Sequence, residues 1–187
     1  MEAFLVSLIT VAVAEIGDRT QLLSLVLATR FRRPWPILAG VLAATLANHG
    51  LAGLLGTWFG KLLNPRRVDL VVGVGMVVMA AWALLPDQLQ KEGERGGRGP
   101  FVTTLIAFFV AEIGDKTQVA TIGLAAAYSS LVAVVAGTTI GMMCANAPGI
   151  FLGSTFAKSI PIKAITYITS GIFFILGALF IYRSWAA

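Results

Sequence analysis

The chain has 187 residues, 57% hydrophobic and only 12% charged, with a mean hydropathy of +0.85 and a formal net charge of +5. A soluble domain carries about 25% charged residues, so an ordinary soluble enzyme or binding module is excluded and an all-α, polytopic membrane protein in contact with the lipid bilayer is indicated. The basic residues stand at the ends of apolar segments, as topology signals do, and form no continuous face, which excludes nucleic acid as a partner.

Six apolar segments follow in chain order, at about 3–29, 35–60, 68–86, 101–127, 131–157 and 162–183. A span needs roughly 20 residues at ~1.5 Å rise each, so all six are predicted to cross the membrane. The first begins MEAFLVSLITVAVA, whose Ala-Val-Ala end mimics a signal-peptidase site. Its leading stretch carries Glu2 and no Lys or Arg, so the segment is expected to be retained. The first and fourth segments are each interrupted by a charged octapeptide, AEIGDRTQ at 14–21 and AEIGDKTQ at 111–118. Prolines 34, 36, 65, 86, 100 and 161 fall at segment edges, where they are tolerated. Pro148 is internal and is expected to kink the fifth helix beside Asn146. The single cysteine, Cys144, permits no intrachain disulfide or zinc site and reads as packing.

The octapeptides belong to a longer repeat. Glu112 lies 97 residues after Glu15, and the same offset pairs Phe4 with Phe101, Gly40 with Gly137, Gly56 with Gly153, Phe59 with Phe156 and Lys61 with Lys158. Two three-helix halves are expected, 1–88 and 99–187, joined by a polar linker at 89–98 that cannot sit in lipid. Because three is odd, the second half enters the membrane from the side opposite to the first, giving six transmembrane helices as two inverted repeats. With the N-terminus outside, Arg30, Arg32, Arg33, Lys91, Arg95, Arg98, Lys158 and Lys163 are cytoplasmic, against Lys61, Arg66, Arg67 and Arg183 outside. The positive-inside rule therefore favours N-out, C-out. Gly56/Gly60, Gly137/Gly141 and Gly149/Gly153 form G-x-x-x-G pairs that should let helices two and five approach the motif helices one and four.

Glu15 and Asp18, like Glu112 and Asp115, would share one face of a continuous helix. A charge at mid-bilayer costs about 2.5–3.5 kcal/mol, so four carboxylates imply a use. Structural readings compete with a binding one. Glu15–Arg19 and Glu112–Lys116 could neutralise each other as i,i+4 pairs, which leaves both aspartates over. Alternatively each Asp caps a helix that restarts after Gly17 or Gly114, a role compatible with cation binding at a broken helix.

Carboxylates suit hard divalent ions such as Mg²⁺, Ca²⁺ or Mn²⁺. The amide oxygens of Gln21, Gln118, Asn48 and Asn146 could complete the shell, against the plain alternative of interhelical hydrogen bonds. Thr20 and Thr117 lie within the motifs. His49 occupies the repeat position of Asn146 and reads first as a hydrogen-bonded helix residue. Met142 and Met143 read first as packing, although a sulfur contact would favour Mn²⁺ over Ca²⁺.

At these residues the chain resembles the calcium/manganese cation-proton antiporter family, whose signature E-x-G-D-[KR]-[ST] it carries twice. The resemblance spans both motifs, both halves and the linker. It implies that Glu15, Asp18, Glu112 and Asp115 are the cation-binding acids, with Arg19, Lys116, Thr20, Thr117, Gly17 and Gly114 matching supporting positions. It also implies a secondary transporter with no enzymatic activity and no resident cofactor. The compact form resembles the bacterial members, which implies Mn²⁺ export from the inner membrane, with Ca²⁺/H⁺ antiport as the alternative. Two rival classes are weaker. An intramembrane aspartyl protease would need G-x-G-D, where this chain has Glu-Ile-Gly-Asp, and no H-E-x-x-H is present. A passive channel would need no duplicated acid cluster. Clustered carboxylates should raise at least one carboxyl pKa, which makes proton exchange near neutral pH feasible.

Overall fold

The structure, a computed structural model, describes residues 1–85, 99–128, 130–152 and 162–186. The predicted linker at 89–98, the repeat partners Gly153, Phe156 and Lys158, and the loop charges Lys91, Arg95 and Arg98 lie outside the described residues. The described residues form eight helices and no strand: α1 (Glu2–Glu15), α2 (Arg19–Phe31), α3 (Pro34–Leu62), α4 (Pro65–Ala83), α5 (Pro100–Ala111), α6 (Lys116–Ala127), α7 (Leu131–Leu152) and α8 (Ile162–Ala186).

Local chemistry sets these boundaries. Proline occupies the first turn of α3, α4 and α5, where its missing N–H has no helical partner to lose. The Asn64 side chain caps α4 by accepting from the Arg67 amide at 2.9 Å. Arg32 ends α2 in the left-handed conformation, its N–H returning to the Ala28 carbonyl at 2.9 Å. The first and fourth apolar segments are each two helices, α1–α2 and α5–α6. This corrects the expectation that Glu15 and Asp18 share the face of one helix: Glu15 closes α1, and Asp18 caps α2. Among the described residues, three helical stretches, Pro34–Leu62, Leu131–Leu152 and Thr166–Ala186, are individually long and apolar enough to cross a membrane. α7 runs through Pro148 without ending.

The halves interlock. α7 packs along α1 and α2, and α3 packs along α5 and α6, so each long helix lies on the broken segment of the other half. α4 and α8, which correspond to each other in the repeat, pack together. Glycine permits the close approaches. A Cβ on Gly40 would lie 2.8 Å from the Phe101 carbonyl and 2.8 Å from Thr104 Cβ. A Cβ on Gly137 would strike the Phe4 carbonyl and lie 3.0 Å from Ser7 Cβ. These contacts are the same pair shifted by the repeat offset, with the halves exchanged. Gly56 and Gly60 meet α6 at Ile122 and Ala126, and Gly141 meets α1 at Leu8, so these G-x-x-x-G residues do face the motif segments.

Two apolar clusters hold the bundle. One gathers Met76, Met79, Leu124, Val134, Phe173 and Phe180, the other Leu27, Ile37, Val41, Phe108 and Ile150. Large apolar side chains are also exposed along every helix, and Trp35, Trp58, Tyr167, Tyr182 and Trp185 stand exposed toward helix ends. An apolar exterior with aromatic side chains near the ends is what a lipid solvent demands, and the protein is a membrane protein. Cys144 is free and exposed, on the outer face of α7.

Candidate cation site

Each octapeptide builds the same break. Gly17 (φ 79°) and Gly114 (φ 74°) take a backbone conformation that glycine adopts without a Cβ penalty, and this turns the chain out of one helix and into the next. Asp18 and Asp115 then cap α2 and α6, accepting from the amides of Thr20 (3.4 Å) and Thr117 (3.2 Å). The Thr117 hydroxyl donates to Asp115 at 3.0 Å and the Thr20 hydroxyl reaches Asp18 at 3.5 Å. Gln21 and Gln118 close the turns: each Oε1 accepts from the glycine amide of its own motif at 2.8 Å. Gln21 Nε2 also donates to the Ala145 carbonyl of α7 at 2.6 Å. The repeated spacing of Gly and Gln thus has a local job, which is to satisfy the backbone groups that a broken helix leaves open in an apolar medium.

The basic residues do not pair within their own motifs as i,i+4 neighbours. Arg19 Nη2 lies 3.3 Å from Asp115 Oδ1, and Lys116 Nζ forms an ion pair with Asp18 Oδ1. Each cation therefore crosses to the aspartate of the other half. Arg19 also donates to the Ala111 carbonyl at 2.7 Å, at the C-terminal end of α5, where the helix dipole favours a cation. The i,i+4 reading assumed a continuous helix, and the glycine turns remove that geometry.

The four acids are buried, with relative exposures of 0% for Glu15 and Glu112, 1% for Asp18 and 3% for Asp115. Carboxylate oxygens of Glu15, Asp18 and Asp115 all lie within 4.8 Å of one another, close enough to share one ion. Glu112 is held from α3: the Thr45 hydroxyl donates to its Oε1 at 3.4 Å, and His49 Nε2 lies 3.8 Å from its Oε2. Glu15 is met from α7, where Asn146 Nδ2 lies 3.5 Å from its Oε1. His49 and Asn146 thus occupy corresponding places, each on the glutamate of the other half. Asn48 lies against Glu112 and also donates to the Phe109 carbonyl at 3.0 Å. Glu15 Oε2, Glu112 Oε2 and Asn146 Oδ1 are buried with no hydrogen-bond partner among the described residues. Buried acceptors without donors are costly, and a cation or a proton is what would satisfy them.

The charge balance agrees. Glu15, Asp18, Glu112 and Asp115 face Arg19 and Lys116, so the ionised cluster lacks two positive charges. One divalent cation, or two protons, would close that gap. The structure also brings in two residues that sequence reasoning left out or left aside. The sequence reading passes over Thr45, and for His49 it leaves a role at the edge of the site open beside the first reading as a hydrogen-bonded helix residue. The repeat offset carried a signal for both, since it aligns them with Met142 and Asn146.

Comparison with known proteins identifies the family. The family model described as "Divalent cation/proton antiporter GDT1" matches residues 3–91 and 100–187. A Vibrio cholerae protein named "Putative manganese exporter" is 48% identical over 177 residues, covering 94% of this chain and 88% of that protein. "GDT1-like protein sll0615" of Synechocystis is 29% identical over 200 residues, covering 96% of each. "GDT1-like protein 5" of Arabidopsis thaliana is 28% identical over 216 residues, covering 94% and 93%. No solved structure gives a significant match. With both halves matched and the duplicated acids gathered at two helix breaks, the chain belongs to the divalent cation/proton antiporter family.

Proposed function

We propose that this protein exports Mn²⁺ across a bacterial inner membrane in exchange for protons, using Glu15, Asp18, Glu112 and Asp115 as the shared site. The observation that carries the reading is the meeting of three buried carboxylates from two helix breaks within 4.8 Å. Support for Mn²⁺ comes from the Vibrio cholerae relative, whose name specifies manganese. The proposed architecture is six spans in two inverted repeats, 1–88 and 99–187, with the broken spans α1–α2 and α5–α6 crossing at the site and both termini outside. The reciprocal contacts of Gly40 and Gly137 support this exchange symmetry.

In this mechanism the ion and the protons occupy the carboxylates in turn. A divalent ion neutralises the two uncompensated charges, and two protons do the same. Arg19 and Lys116 pair with Asp115 and Asp18, which keeps the buried acids from facing one another unscreened. An entering ion competes with Lys116 for Asp18. Because these pairs join the two halves, their exchange for a metal ion couples occupancy to movement of one half against the other. Gln21 and Gln118 brace the turns, and Asn146 offers a free amide oxygen to the ion.

The test is reconstitution into proton-tight liposomes containing a pH-sensitive dye. Mn²⁺ added outside should enter and make the lumen more alkaline, because protons leave in exchange. Mn²⁺ entry with no change of lumenal pH would contradict antiport and favour a passive channel.

A further inference from the structure

We infer that the Met142 thioether sets the metal preference of the site, which makes its Glu15 side selective for softer divalent ions. The inference rests on the reading that Glu15, Asp18, Glu112 and Asp115 form the transport site. It starts from an asymmetry between halves that otherwise repeat. Thr45 and Met142 are separated by the repeat offset and occupy corresponding places on α3 and α7. On one side the Thr45 hydroxyl reaches Glu112 at 3.4 Å. On the other side the corresponding atom is a sulfur.

Met142 is fully buried, yet it belongs to neither apolar cluster, unlike Met76 and Met79, which pack inside the larger one. Its Sδ lies 3.1 Å from Asn146 Nδ2, and that same nitrogen lies 3.5 Å from Glu15 Oε1. The sulfur is therefore one amide nitrogen away from the acid cluster. Asn146 is anchored to the Met142 carbonyl at 3.1 Å, while its Oδ1 has no partner. The Asn146 side chain thus links the Met142 sulfur to Glu15, and both Glu15 Oε2 and Asn146 Oδ1 are buried ligand atoms without a hydrogen-bond partner among the described residues.

The chemistry of these atoms discriminates between ions. Carboxylate and amide oxygens accept Ca²⁺, Mg²⁺ and Mn²⁺ alike. A thioether is a poor ligand for the hard ions Ca²⁺ and Mg²⁺, is tolerated by Mn²⁺ and is favoured by soft ions such as Cd²⁺. Being neutral, it adds little attraction. Its effect is to deny hard ions one oxygen position, and so it acts on the difference between affinities. An unbranched methionine also has the rotamer freedom to turn its sulfur toward an ion without moving α7.

The experiment compares the intact chain with Met142→Leu, which removes sulfur at nearly constant volume, both in a Cys144→Ala background so that no thiol contributes. Competitive binding of Mn²⁺, Cd²⁺ and Ca²⁺ is measured on purified protein. On softness grounds the Mn²⁺-to-Ca²⁺ affinity ratio should fall by about 3-fold and the Cd²⁺-to-Ca²⁺ ratio by ~10-fold or more. X-ray absorption of the Cd²⁺-loaded parent should show a sulfur neighbour that Met142→Leu lacks. Unchanged ratios, or a parent spectrum with oxygen and nitrogen neighbours alone, would overturn the inference and leave proton-coupled Mn²⁺ exchange standing. If Met142→Leu does not fold, the parent spectrum decides by itself. A parent that binds none of the three ions would defeat the transport-site reading on which the inference rests.

Discussion

At the scale of single residues, the site is defined by charges that have been moved across a boundary. Lys116 answers Asp18 and Arg19 answers Asp115, so no motif neutralises itself. Removing one partner of a buried pair leaves an uncompensated charge, which costs about 3 kcal/mol. Lys116→Met should therefore lower thermal stability by roughly that amount, and the double variant Lys116→Met/Asp18→Asn should recover much of it. Melting of the purified proteins, followed by tryptophan fluorescence, measures the coupling; additive losses would mean that the pair does not interact. Asp18→Asn and Asp115→Asn should each reduce Mn²⁺ exchange to background while the protein remains inserted and folded, as judged by vesicle transport and gel filtration. Near-normal flux in either variant would remove that aspartate from the site.

At the scale of elements, the informative feature is the turn that splits a span into two half-helices. Gly17 and Gly114 hold positive φ, where an L-residue is penalised by about 1–2 kcal/mol. Gly17→Ala and Gly114→Ala should each destabilise by about that much. Gly50→Ala, in the middle of α3 with open space around a new Cβ, should be neutral or slightly stabilising by helix propensity. Thermal melting of the three variants checks this, and equal effects would contradict the turn assignment. The capping role of Asp18 and Asp115 was legible in the sequence, because Gly-Asp before a polar turn has a local physical meaning. The crosswise ion pairs were not. Spacing rules such as i,i+4 apply within one helix, and the partner of Arg19 lies 96 residues away. Thr45 was missed for the same reason, since which face of α3 meets Glu112 depends on tertiary packing.

At the scale of the whole molecule, the repeat was readable from a single offset, and the structure turns that offset into reciprocal contacts. Gly40 meets the start of α5 as Gly137 meets the start of α1. The proposed N-out, C-out orientation rests on loop charges, several of which lie outside the described residues, and labelling tests it. In a Cys144→Ala background, cysteines replacing Arg32 and Arg95 should resist an impermeant thiol reagent applied to intact cells, and one replacing Arg66 should react. The opposite pattern would reverse the N-out, C-out assignment.

In the proposed mechanism, metal and protons compete for one set of carboxylates. A protonated carboxyl is a poor ligand, so apparent Mn²⁺ affinity must fall as pH is lowered, and by linkage Mn²⁺ binding must release protons. The most direct measurement is the pH of a weakly buffered solution of purified protein as Mn²⁺ is added between pH 6 and 8. The wild type should acidify the solution, and Glu15→Gln combined with Glu112→Gln should release fewer protons and lose pH dependence of binding in parallel. Tight Mn²⁺ binding by the wild type with no proton release across that range would show that these carboxylates are not where the exchange takes place.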